Sequence, residues 1–210
     1  MVYSDQGGYA MKKSIYTLIV MSALVLMDVS IVVAHCDTMD GPVVGDARKA
    51  LEKNNVNYVL KWVLPENEKE INQAFSLVKK VRPLSREAKE LSEKYFFETV
   101  VRLHRSGEGI PYSGIKPSGI PVDKRILAAD RSIELGNLNP LEKLVPKEDL
   151  PELNKRFKKV MAKRNFDISD VKAGREYVEA YVQFFHFAEG QEKGRDHEPN
   201  EHVGHSENIP

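Results

Sequence analysis

Apolar positions recur three and four residues apart along most of the chain, the spacing of helices that bury one face. Pro42 opens such a helix in its first turn, with Val43, Val44, Ala47, Ala50 and Leu51 on one side and Asn54-Asn55 at its end. A short apolar piece over residues 56–64 stops at Pro65, and residues 66–80 carry Ile71, Ala74, Phe75 and Val78 at helical spacing before Pro83. Ser85 is the expected N-cap of the strongest helix, residues 86–106, in which Ala88, Leu91, Tyr95, Thr99 and Leu103 form the repeating face and Gly107 ends it.

Residues 107–121 read Gly-Glu-Gly-Ile-Pro-Tyr-Ser-Gly-Ile-Lys-Pro-Ser-Gly-Ile-Pro, a composition that excludes regular structure and predicts a long loop. Asp123 caps a helix that Gly136 closes, Asn139-Pro140 starts a short turn, and Leu150, Leu153, Phe157, Val160 and Met161 mark another helix. Ser169 is expected to open a long last helix with Val171, Val178, Tyr181, Val182 and Phe185 on its buried side and Gly190 after it. Alternating strand patterns are almost absent, so the expected fold is all-α, an antiparallel helical bundle over residues 35–189. From Gly190 to Pro210 apolar residues nearly vanish while His197, His202 and His205 appear, which predicts a disordered tail. That tail is either a loose metal recruiter or a plain solubilising segment.

The first thirty-four residues do not fit the bundle. Lys12 and Lys13 precede an apolar stretch from Ile15 to Val33 that closes on Val32-Val33-Ala34, the arrangement of a signal peptide with cleavage after Ala34. Residues 1–10 look unlike an export leader, and Met11 is a candidate true start. The stretch is just long enough to cross the ~30 Å core of a bilayer, but it carries Asp28. The expectation is therefore export to the periplasm or the medium, without stable membrane insertion once cleaved.

Charge narrows the partners. The chain has 31 Lys and Arg against 31 Asp and Glu, so no basic excess points to nucleic acid or an anionic membrane. Phosphate-loop, haem-attachment, paired-cysteine zinc and serine-elbow motifs are all missing. Homo-oligomers are compatible with the composition.

The single cysteine, Cys36, would stand second in the mature chain. A lone thiol in an oxidising compartment is a bridge to another chain, a reactive group or a metal ligand. Cleavage after Ala34 would place an α-amine, the His35 imidazole, the Cys36 amide and the Cys36 thiolate within one chelating loop. Deprotonating amine and thiol at neutral pH costs about 1.4 and 2 kcal/mol. That is small beside the roughly 10–16 kcal/mol of a tight protein–metal site. A planar ion able to displace an amide proton, nickel or copper, is favoured over zinc. Should the amide keep its proton, amine and imidazole still grip copper, with His104 or His186 as a third ligand. Asp37 and Asp40 lie close enough in sequence to join the set.

Other polar residues fall on apolar faces. His104 shares a helix flank with Phe97, Val100 and Val101, as a metal ligand or a satisfied core histidine. Glu179 and Arg175 lie on the His186 side of the last helix, orienting it or forming a solvated stripe. Arg102 falls four residues after Glu98 inside the expected buried arc, which suggests a partly buried ion pair, and Asp130 interrupts a packed face between Ile126 and Ile133. Glu108 and Tyr112, in the Gly/Pro loop, are placed to overhang a site.

Two resemblances bear on these residues. Cys36-Asp37-Thr38-Met39-Asp40-Gly41-Pro42, Leu103-His104-Arg105 leading to Gly107-Glu108-Gly109, and Gly174-Arg175-Glu176-Tyr177-Val178 leading to Phe185-His186 look like an uncharacterised family of exported bacterial proteins of unknown function. That likeness spans nearly the whole mature chain and implies no activity. Separately, His35-Cys36-Asp37 followed by Gly41 resembles the N-terminal metal hook of nickel superoxide dismutase, a helical-bundle enzyme. The likeness implies metal ligation by His35 and Cys36. Asp40 stands where that family has its second cysteine. Three functions follow as expectations: a nickel or copper protein acting on superoxide or another small oxidant, a metal-handling or sensing protein without turnover, or an interaction bundle bridged through Cys36.

Overall fold

A computed structural model describes residues 35–190. The chain divides into two units at the Ala34–His35 bond, and the described residues belong to the second. The expected leader and C-terminal tail lie outside the described residues.

Pro and capping residues place the helices where the sequence expects them. After a 3-10 turn, His35–Asp37, the described chain forms α1 (Pro42–Lys53), α2 (Asn57–Leu60), α3 (Glu68–Val81), α4 (Arg86–Gly107), α5 (Lys124–Leu135), α6 (Asn139–Glu142), α7 (Leu150–Lys163) and α8 (Val171–Glu189). Asn54 ends α1 in the left-handed conformation, φ 51°, tolerated because its short amide side chain suits that region. The Ser85 hydroxyl accepts from the Ala88 amide, and the Asp123 carboxylate accepts from the Arg125 amide. The last helix is capped by Asp170, which accepts from Ala173, and not by Ser169, whose amide and hydroxyl both donate to Asp167. Among the described residues the only β pairing is an isolated parallel bridge, Thr38 with Lys116.

Two helical hairpins form, α3 with α4 and α7 with α8; α1 packs against α4 of the first and α5 against α8 of the second. The α2 segment is wedged where the hairpins meet. The Trp62 ring makes T-shaped contacts with His104 of α4 and Tyr181 of α8. Arg175 of α8 donates to the Leu60 and Val63 carbonyls and pairs with Glu68. This wedge also holds a buried cation: Lys61 is 2.8 Å from Asp46, which accepts from the Trp62 indole at 2.9 Å, and it lies over the rings of Trp62, Phe166 and Tyr177. A Cβ on Gly174 would press on Lys61 and Phe166 at 3.0 Å, so any larger residue there requires those side chains to give way.

The face of α4 differs from the expectation in part. Thr99 and Leu103 are buried as expected, but Leu91 and Tyr95 point outward, 71 % and 47 % exposed, while Phe96, Phe97, Val100 and Val101 are buried. A rigid helix buries one arc, and two phenylalanines with two valines outweigh a leucine and a tyrosine by several hundred square ångströms of apolar surface at most, or several kcal/mol at ~25 cal/mol/Å². Arg102 rotates outward with that shift and pairs with Glu70 of α3, not with Glu98. On α8 the buried arc is Val178, Tyr181, Phe184 and Phe185, with Val171 and Val182 at its margins.

Candidate functional site

The 3-10 turn His35–Asp37 is tied down at both ends of the Asp37–Asp40 stretch. The Met39 amide donates to the Lys116 carbonyl, and the Lys116 amide donates to the Asp37 carbonyl. Asp40 accepts from the Ser118 hydroxyl and the Gly119 amide, and these bonds, the amide first, hold its carboxyl below the usual range. Asp40 therefore latches the Gly/Pro loop to the turn. Gly41 completes the geometry: any Cβ there would run into the His35 carbonyl oxygen.

Pinned in this way, the turn directs three polar side chains at α4, α5 and α8. Asp37 lies 3.3 Å from the Arg105 guanidinium, which bonds Glu108 at 3.0 Å; these side chains are 6 %, 5 % and 15 % exposed. Burial pushes the Asp37 carboxyl above the usual range, against the opposing pull of Arg105. His35 Nε2 faces Asp130 Oδ2 at 3.7 Å, while Asp130 Oδ1 accepts from the Tyr181 hydroxyl at 3.0 Å. Burial pushes Asp130 up as well, opposed by His35. The Cys36 thiol packs against the apolar core; burial, followed by the charges of Glu108 and Asp37, pushes it far above an ordinary thiol, so it is held as the neutral S–H.

Two imidazole nitrogens stand out. His104, 3 % exposed, turns Nδ1 to the Trp62 carbonyl at 3.0 Å, and a carbonyl only accepts, so Nδ1 carries the proton. Its Nε2, 3.5 Å from Glu108, makes no hydrogen bond. His35 Nδ1 is also buried without a hydrogen-bond partner.

The sequence candidates therefore separate into groups. His35, Cys36, Asp37, Glu108 and Asp130 meet around the turn. His104 and Glu108 also line a cavity of about 610 Å³ floored by residues 61–64, with Arg175, Glu179 and His186 of α8 on its other wall. Glu179 accepts from Gln183 there, and Arg175 donates to the wedge carbonyls and pairs with Glu68. Tyr112 is pushed up to about 12 by burial and then by the charge of Glu98. Among the described residues no three His, Cys, Asp or Glu side chains are grouped to hold a metal ion as they stand. Arg105 and Tyr181, which organise the cluster, were not singled out from the sequence as site residues. Arg105 had one legible signal, the carboxylate three residues on at Glu108; the role of Tyr181 depends on a contact across 51 residues.

No described helix is long and apolar enough to cross a membrane. No curated protein and no solved structure matches the chain. A family model does, over residues 40–187, a span that takes in Asp40, His104, Glu108, Asp130, Arg175, Glu179 and His186 and begins just after the His35 turn. The chain belongs to this family, described as a family of unknown function (DUF6448).

Proposed function

We propose that this is an exported protein whose N-terminus, freed by cleavage after Ala34, holds one nickel or copper ion through the His35 amine, His35 Nδ1 and Cys36. The observation that carries the reading is the state of His35: Nε2 faces the Asp130 carboxylate, while Nδ1 is buried with no hydrogen-bond partner. A proton drawn to Nε2 by the carboxylate leaves the lone pair on Nδ1. Nδ1 is the ring nitrogen that closes a six-membered chelate with the amine of its own residue. That amine is a peptide nitrogen while Ala34 is attached, so the site lacks a donor until cleavage supplies one.

Electrostatics supports the same reading. After burial, the charges of Glu108, Asp37 and Asp130 keep the Cys36 thiol protonated, with Arg105 opposing them. A cation relieves that repulsion and releases the thiol proton, giving the thiolate that a soft ion binds. The inward thiol speaks against a disulfide to a partner. Turnover of superoxide or another small oxidant is the finer part of the proposal, and metal carriage without turnover is its alternative.

The test compares protein beginning at His35 with the same protein extended by one glycine, each titrated with Cu(II) and Ni(II) and followed by visible spectroscopy and metal analysis. The His35 form is expected to bind one ion per chain, and the extended form to bind about 100-fold or more weakly because the amine is lost. Equal binding by both forms, or an exported chain whose intact mass places its N-terminus elsewhere, overturns the reading. A superoxide assay on the loaded protein then separates enzyme from carrier.

A further inference from the structure

We propose that the cavity between α4 and α8 is a binding site for a small organic ammonium, a charged primary amine carried on an apolar body. The site is separate from the proposed chelate and needs neither cleavage after Ala34 nor a metal ion.

The inner end of the cavity carries the observation that points to a ligand. His104, 3 % exposed, spends its one ring proton on the Trp62 carbonyl, so Nε2 presents a lone pair, and that nitrogen makes no hydrogen bond. The group opposite is Glu108, whose Oε1 stands 3.5 Å away while its Oε2 accepts from Arg105. Two acceptors thus face each other with no proton between them. Folded proteins seldom leave a buried acceptor in this state, and one that persists calls for a partner.

The rest of the cavity describes that partner. A single atom that satisfies both acceptors needs at least two polar hydrogens, which a primary ammonium has and an alcohol lacks, and the Glu108 carboxylate favours a donor that is itself charged. Water also has two such hydrogens, but it is neutral and fills little of a cavity of about 610 Å³, a volume that suits a small organic ligand. Leu64, Val178 and Val182 line the same space, and Leu64 is 42 % exposed, so the carbon body of the ligand has apolar surface to cover. A bare metal ion fits less well, because among the described residues no three His, Cys, Asp or Glu side chains are grouped to hold one.

The cations on the walls do not compete for the two acceptors. Lys61 is paired with Asp46, and Arg175 with Glu68 and two backbone carbonyls. Lys172 and Glu179, both exposed on α8, are of opposite sign and leave the choice of ligand to the inner end.

Trp62 lines the cavity and is the one tryptophan of the chain, so its fluorescence reports on occupancy. The test titrates metal-free protein with hexylammonium, hexanol and hexanoate, matched in chain length, and follows Trp62 emission together with the nitrogen NMR signals of the histidine rings. Hexylammonium is expected to saturate at one per chain and to bind ~10-fold or more tightly than hexanol, with hexanoate weakest, because a hydrogen bond to a charged partner exceeds a neutral one. The His104 Nε2 signal should start in the range of an unprotonated ring nitrogen and shift as hexylammonium binds. Glu108→Gln should cost ~10-fold or more in hexylammonium affinity and leave hexanol little changed. Val182→Trp, at a half-buried position on the wall, should fill the cavity and abolish binding.

The absence of saturable binding, hexanol or hexanoate held as tightly as hexylammonium, or a ligand-free His104 with both ring nitrogens protonated overturns the site. These readouts use the wild-type protein and need no variant to fold. Undiminished binding by Val182→Trp overturns the placement in this cavity. Because no metal enters the titration, its failure leaves the chelate proposal standing, and the reverse.

Discussion

Replacing Arg105 with methionine tests the electrostatic account of the site most directly. The guanidinium lies 3.3 Å from Asp37 and 3.0 Å from Glu108, with its own side chain 5 % exposed. At an effective dielectric of ~20 each contact carries about 5 kcal/mol of Coulomb attraction, most of it offset by desolvation. Methionine fills the volume but leaves two enclosed carboxylates without a counter-charge, a change that typically costs about 3–5 kcal/mol. With a urea m-value of roughly 2 kcal/mol/M, the denaturation midpoint near neutral pH should fall by about 1.5–2.5 M.

The pH dependence follows from Asp37. Its folded carboxyl already titrates above the unfolded value, and removing Arg105, which pulls it down, raises it further. The native variant then holds a proton that the unfolded chain has released, so its stability falls as pH rises from the unfolded to the folded value. The deficit should therefore be smaller at about pH 5 than at about pH 7.5, and adding Asp37→Asn should recover much of it at the higher pH. An Arg105→Met midpoint equal to wild type at neutral pH, or a deficit that grows on acidification, would refute the reasoning.

The inward Cys36 thiol should react with iodoacetamide at neutral pH far more slowly than the same residue in urea-unfolded protein, measured by mass spectrometry; equal rates would show an exposed thiolate. Burial and Asp123 push Glu189 up to about 7, so ionising it costs native stability as pH rises from the ordinary carboxylate value toward 7. Glu189→Gln should thus gain Tm relative to wild type with rising pH and hold that gain above about 7. On α4, Leu91→Lys should change stability by less than ~0.5 kcal/mol, whereas Phe96→Ala should cost about 3–5 kcal/mol, by chemical denaturation. A large loss from Leu91→Lys would restore the face expected from the sequence.

Local rules make much of the fold legible in the sequence alone. Pro42, Ser85, Asp123, Gly136 and Gly190 start or stop helices through backbone chemistry that involves only neighbouring residues, and the helices begin and end within a few residues of them. The candidate site was legible as a list: His35, Cys36, Asp37, Glu108 and Asp130 were each out of place for a bland helical surface.

What the chain alone did not contain was the rotation of each helix and the partner of each charge. Leu91 and Tyr95 have the spacing of a core face, yet the competing arc with Phe96, Phe97, Val100 and Val101 holds more apolar surface and wins the interior. That competition is settled only when α3 and α1 arrive to cover one arc. The same rotation carries Arg102 to Glu70 and leaves Arg105, three residues on, enclosed between Asp37 and Glu108. The path from His35 through Asp130 to Tyr181 joins residues 95 and 51 positions apart, and no periodicity encodes such a meeting. Sequence specifies elements because their determinants lie within a turn of each other; the site arises from packing, in which every helix fixes the orientation of the next.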